Sequence, residues 1–224
     1  MIDSRNLVAK YDLNGNGHDS SPNAINATKL NASPATDRFG NESRCYSFDG
    51  KSSYVQIAPS ELFNFSYTED FTISFWVLVL ENANSGDIIS KWNTRNNTGY
   101  PFAIRYLGQD VKNSLYKNRI AFLRYDSEEC ENLPVVLTKP MVINEWTHIT
   151  ARKKGSKLSI FVNGRLNGKT KDTTEGICGT ENEAPLIFGK RGENQRYFNG
   201  KIDDVSIFNL ALTQRDINII SSFE

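Results

Sequence analysis

The feature that most limits this chain is a recurrence of short runs in which apolar and polar residues alternate, each closed off by Gly, Asn, Asp or Pro. Alternation of this kind places one side of an extended segment on a core and the other toward water, a period of two and not the 3.6 of a helix. Cys45–Asp49 and Tyr54–Ala58 flank Gly50-Lys51-Ser52, which reads as a hairpin or tight corner. Phe71–Leu80 sets Phe71, Ile73, Phe75, Val77 and Val79 against Thr72, Ser74, Trp76, Leu78 and Leu80. Its second face turns apolar partway, so a central strand covered on both sides at that end is expected. Asp87–Trp92, Phe102–Leu107 and Arg119–Tyr125 follow, then Trp146–Arg152 and Lys157–Val162 around the turn Lys153-Lys154-Gly155-Ser156. Asn163-Gly164 leads into the next strand, and Leu186–Gly189 and Lys201–Asn209 complete the series. About ten or eleven strands without helices between them give an all-β chain, a two-sheet antiparallel jelly-roll sandwich.

One short C-terminal helix is expected: Thr213 is placed to cap it, Asp216 stands three positions on, and Ile217, Ile219 and Ile220 follow. No Pro- or Ser-rich linker and no internal repeat divides the chain, so residues 1–224 read as one domain. Lys plus Arg and Asp plus Glu number 26 each, so no net field draws the chain to nucleic acid or acidic lipid. No apolar run reaches the roughly 18 residues of a membrane helix. Met1–Asn6 is followed by no apolar segment of the signal-peptide kind.

Four segments in series resemble the laminin G-like jelly-roll family of the concanavalin A-like lectin/glucanase superfamily. The first runs from Tyr11-Asp12-Leu13-Asn14-Gly15-Asn16-Gly17 through His18-Asp19-Ser20-Ser21-Pro22-Asn23, with Pro22 where the family usually has Gly. The second is Asp37-Arg38-Phe39-Gly40-Asn41 with Tyr46-Ser47-Phe48-Asp49-Gly50 and Tyr54-Val55. The third joins Asp70-Phe71-Thr72-Ile73-Ser74-Phe75-Trp76-Val77 to Glu145-Trp146-Thr147-His148-Ile149 and Phe161-Val162-Asn163-Gly164. The fourth is Phe198-Asn199-Gly200-Lys201-Ile202-Asp203-Asp204-Val205, continuing through Ile207-Phe208-Asn209 to Ala211-Leu212-Thr213. The resemblance implies a jelly roll and an extracellular or cell-surface setting. It embraces binding modules, adhesion domains and domains appended to enzymes, so it leaves function open.

In related domains a calcium ion bridges the N-terminal loop to an acidic pair on the last strand. Carried onto this chain, the resemblance implies a structural calcium held by Asp19, Asn14 and Asn23 with Asp203 or Asp204, since calcium takes 6–8 mixed oxygens. The alternative is that Asp19 caps a turn and the acidic pair meets a Lys or Arg. Cys45 lies in an alternating run and reads as core, whereas Cys130 and Cys178 lie in polar loops. In an exported module those two form a disulfide, the alternative being two free thiols. Asn26, Asn31, Asn41, Asn64 and Asn96 head Asn-X-Ser/Thr sequons, which permit glycosylation without showing it.

Catalytic signatures are missing. No strand carries the spaced carboxylates of a glycosidase, and Asp203-Asp204, as neighbours on a regular strand, would point to opposite faces. The two histidines, His18 and His148, read as structural, and there is no Gly-x-Ser-x-Gly elbow or P-loop. Trp76 and Trp146 read as core side chains between the sheets. Trp92, Tyr100, Tyr116 and Tyr197, with Arg95 and Arg196 beside them, are the candidate platform for a sugar. The expectation is a non-catalytic recognition module binding carbohydrate, part of a larger multidomain protein. A protein-interaction or adhesion domain and an accessory domain of a glycan-active enzyme are the alternatives.

Overall fold

The computed structural model describes residues 3–92, 99–126, 130–174, 179–192 and 195–222. Fifteen strands and one α-helix lie among them. The strands are β1 (Leu7–Tyr11), β2 (Ala27–Asn31), β3 (Ser33–Ala35), β4 (Cys45–Asp49), β5 (Tyr54–Ile57), β6 (Phe71–Val79), β7 (Gly86–Ser90) and β8 (Tyr100–Leu107). They continue as β9 (Arg119–Tyr125), β10 (Val135–Leu137), β11 (Trp146–Lys154), β12 (Lys157–Val162), β13 (Arg165–Lys171), β14 (Leu186–Phe188) and β15 (Asn199–Phe208), before helix α1 (Gln214–Ser221). Two antiparallel sheets face each other. The eight-stranded sheet has the order β13-β12-β11-β6-β15-β4-β3, with β1 also paired to β15. The seven-stranded sheet has the order β10-β9-β8-β7-β14-β5-β2.

The expected jelly roll is present, and its inward faces are the alternating apolar positions. Phe71, Ile73, Phe75, Val77 and Val79 of β6 meet Phe102, Ile104, Phe122 and Phe188 of the opposing sheet in one buried cluster. Phe65 stacks on Phe71 with ring centroids 4.5 Å apart, and Phe122 meets Phe71 edge-on at 6.0 Å. Strands β2, β3 and β10, which carry no alternating signal, all lie at sheet edges. An edge strand covers little core, so its sequence need not alternate.

Two expectations about β6 are corrected. Its outer face is covered at the polar end, not the apolar end: Thr72 and Ser74 are buried, whereas Trp76 and Leu78 are half-buried. The cover is the C-terminal segment. The Thr72 hydroxyl donates to the Leu210 carbonyl and accepts from the Leu212 N–H, and Ile217 of α1 packs with Phe161, Phe208 and Leu212. Trp76 pairs with His148 and Trp146 with Leu78, which places both tryptophans on the outer face and outside the intersheet core. Helix α1 starts as expected, with reciprocal capping between Thr213 and Asp216.

Candidate functional site

Outward positions of three adjacent strands converge beside α1. Trp76 and Ser74 come from β6, His148 from β11, and Ser206 and Phe208 from β15. With Leu7 and Lys10 of β1, the turn at Asp3 and Ser4, Asp204 and Ile220, they enclose a cavity of about 410 Å³. An adjoining polar depression of about 470 Å³ lies over Asn14, Asp37, Arg38, Phe39, Glu42 and Asp203, and Asp204 lines both.

A backbone irregularity builds the boundary between them. The pairing of β15 with β6 shifts register between Asp203 and Ser206, and Asp204 takes a φ of 48°. A bulge re-aims side chains, so these neighbours do not diverge as a regular strand would require. Both reach one guanidinium: Arg38 Nη1 donates to Asp203 Oδ2 at 2.7 Å, and Nη2 donates to Asp204 Oδ2 at 2.8 Å. The same guanidinium lies 4.7 Å from the Trp76 ring centre and 4.4 Å from that of Phe39. Asp203 Oδ1 and Arg38 Nε are buried without a partner. Burial, reinforced by the charge of Asp204 and opposed by Arg38, pushes the Asp203 carboxyl up to about 7.

At the floor, His148 Nε2 and the Ser74 hydroxyl are 2.9 Å apart, and the imidazole meets Trp76 edge-on at 5.2 Å. Burial, and secondarily the charge of Arg38, pushes this histidine down to about 3. Its Nδ1 has no partner. The pair therefore lacks the carboxylate that orients a hydrolase histidine and the basicity to activate a serine. The adjacent aspartates left a Lys or Arg partner open, but nothing in the local sequence named Arg38 or joined Ser74 to His148; each contact depends on strand register.

The carboxylates of the implied calcium set have partners within the chain. Asp19 Oδ1 accepts the N–H groups of Lys10 and Ser21, and Oδ2 accepts the Ser21 hydroxyl and the Ile25 N–H, all within 2.9 Å. Asn23 donates its amide to the Val8 carbonyl at 2.8 Å. Asn14 lies at the Arg38 depression, where Asp203 and Asp204 are already paired. No group of three or more His, Cys, Asp or Glu among the described residues could hold a metal ion. The residues fit the alternative, in which Asp19 ties its own loop and an arginine meets the acidic pair.

The expected aromatic platform is distributed differently. Trp92 stacks on Tyr100 at 4.4 Å, and the Arg191 guanidinium lies 3.4 Å from the Trp92 ring centre. A tyrosine ring and a guanidinium thus already lie against the indole. Tyr100 is buried and packs in turn on Tyr125 at 5.6 Å. Tyr197 lies near Lys190, Arg196 is exposed, and Tyr116 is exposed in a separate turn. Arg95 lies outside the described residues, as do the sequon at Asn96 and Cys178. Cys130 is disulfide-bonded, and Cys45 is buried and free.

Comparison with known proteins adds three relatives. The chain is 26% identical over 185 residues to Paraclostridial mosquitocidal protein 1 of Paraclostridium bifermentans, covering 76% of this chain and 14% of that protein. The crystal structure of that protein's binding domain superposes with a TM-score of 0.76 at 18% identity, over 97% of this chain and 52% of that one. A botulinum neurotoxin type C structure, described by cell entry that depends on two ganglioside molecules, gives 0.71 at 18% identity over 97% and 51%. The binding domain of botulinum neurotoxin DC in complex with rat synaptotagmin II gives 0.72 at 18% identity over 97% and 51%. This chain spans about a seventh of the curated relative and about half of each solved binding domain. A family model matches residues 49–218, most of the sandwich from the end of β4 into α1, and the chain belongs to the concanavalin A-like lectin/glucanases superfamily.

Proposed function

We propose that residues 1–224 form one non-catalytic recognition domain of a larger extracellular protein, and that it binds carbohydrate in the cavity floored by Trp76. The observation that carries this reading is the half-buried Trp76 ring beside Ser206, Lys10 and Asp204 in a concave site. An apolar ring face with a few placed polar groups suits a sugar, whose rings have an apolar side and a rim of hydroxyls. The Ser74–His148 pair and the Asp203–Arg38–Asp204 clamp serve as supports that hold the floor and wall. One similar structure is a toxin binding domain and another belongs to a neurotoxin whose cell entry depends on two ganglioside molecules, which agrees with a glycan ligand. No helix among the described residues is long and apolar enough to cross a membrane.

The test is a glycan-array screen of the wild type, Trp76→Ala and Trp92→Ala, with melting curves to verify folding. Binding to a defined sugar class that is lost only in Trp76→Ala supports the reading. Silence of the wild type across the array, or loss only in Trp92→Ala, overturns it. The neurotoxin DC domain solved with synaptotagmin II favours a protein ligand as the second reading. Silence on the array would direct the search there.

A further inference from the structure

A second feature of the eight-stranded sheet stands apart from the Trp76 cavity. Strand register sets Lys154 opposite Lys157 across β11 and β12, and Lys157 opposite Lys171 across β12 and β13. These three ammonium groups form one row across three strands. Neighbouring strands lie about 4.8 Å apart, so the row spans about 10 Å. Lys169 stands two residues from Lys171, on the same face, opposite Ser159. All four lysines are exposed, and no ion pair joins any of them to a carboxylate among the described residues. The carboxylates near the hairpin are otherwise engaged: Asp70 accepts the Gly155 N–H, and Asp172 is buried beside Arg124.

Like charges directly opposite one another weaken a sheet, and a chain with 26 acidic and 26 basic residues could have alternated them. Beside three of the lysines the surface is concave, about 430 Å³, bounded by Ser156, Lys157, Lys169, Thr170 and Lys171. We infer that this face binds a linear anionic polysaccharide, its sulfate or carboxylate groups meeting Lys154, Lys157, Lys169 and Lys171 and a sugar ring entering the hollow that Lys157, Lys169 and Lys171 line. Charge complementarity selects a polyanion. The concavity selects a chain that can enter it over a bilayer, which presents a broad smooth surface. This site is separate from the Trp76 cavity and stands whether or not that cavity binds a neutral sugar.

The test measures binding of a labelled sulfated oligosaccharide to the intact chain and to the variant Lys157→Ser/Lys169→Ser/Lys171→Ser. Its desulfated parent and phosphatidylserine-rich vesicles are run beside it. The wild type should bind the sulfated probe and not the parent, with affinity falling as salt rises. The triple variant should bind at least tenfold more weakly, with a log–log salt slope smaller by roughly one per lysine removed. Its melting temperature should hold or rise, because repulsion within the row is relieved. Trp76→Ala should leave this binding unchanged, which separates the two sites. Absence of binding by the wild type, binding that survives the triple variant, or vesicles preferred over the oligosaccharide through the same lysines would each overturn the inference.

Discussion

Replacing Asp203 with asparagine tests whether the bulge at the site costs the fold stability at neutral pH. The carboxyl is pushed from 3.8 up to about 7 in the folded chain, first by burial and then by Asp204, against the pull of Arg38. The native state therefore holds a proton that the unfolded chain releases between about pH 4 and 7. The stability contributed by that proton is complete below about pH 4 and is lost as pH rises toward 7. Three units at 1.36 kcal/mol each give about 4 kcal/mol as the ceiling. His148 acts in the opposite sense. Its folded value near 3 lies below the ordinary 6.5, so the unfolded chain binds the extra proton and stability rises with pH over that window. The wild type should thus show a shallow net pH dependence, and only a comparison isolates Asp203. Asp203→Asn keeps an oxygen for Arg38 and removes the titration. Urea denaturation at pH 5 and pH 7.5 should find the variant clearly less stable at the lower pH, where the His148 slope stands alone. It should gain roughly 2–4 kcal/mol on the wild type between the two conditions, about 5–15 °C in melting temperature. A variant that loses ground to the wild type as pH rises would refute the reasoning. The Arg38 pair would then outweigh burial, and Asp203 would be an ordinary depressed carboxylate.

Three further outcomes are expected. Lys91 is buried and donates to the carbonyls of Asn182 and Ala184 and to Asn182 Oδ1, so Lys91→Met should cost about 2–4 kcal/mol by urea denaturation. A loss under about 0.5 kcal/mol would mean that those acceptors find other donors. Gly189 has a φ of 89°, and a Cβ there would run into the Phe48 ring, so Gly189→Ala should lower stability by more than about 1 kcal/mol in thermal melts. Millimolar calcium should leave the melting temperature within about 1 °C of its value in chelator, since a bound ion would raise it by mass action. A larger rise would restore the Asp19 site.

The core was legible in the sequence because it obeys local rules. Period-two alternation located β4, β6, β9 and β12 closely, and Thr213 with Asp216 announced the start of α1. Strands β2, β3 and β10 were hidden because edge strands alternate weakly, and two of the three are only three residues long. The size of Trp76 and Trp146 suggests the core, yet the register of β6 with β11 places them on the outer face. Alternation says that two faces exist, and only the partner strand says which one is buried at each level. Trp92 ends an alternating run before a polar loop, a signal that cannot register Arg191 arriving from another part of the chain.

The unread part of the site shares one physical cause. A strand's inward residues answer to the opposing sheet, a constraint felt at every second position, whereas its outward residues answer to whichever segment crosses them. Arg38 crosses at Asp203 and Asp204 from 165 and 166 positions away, and the C-terminal segment crosses at Thr72 from 138 positions away. No periodicity records contacts of that span. What the sequence did hold was the local irregularity that makes the Arg38 crossing possible: two adjacent aspartates in an otherwise alternating strand. On a regular strand one of them would have faced the core unpaired, at a cost of several kcal/mol. A bulge that turns both outward to one cation is the inexpensive solution. Adjacent carboxylates inside a buried strand thus call for a register shift together with an arginine.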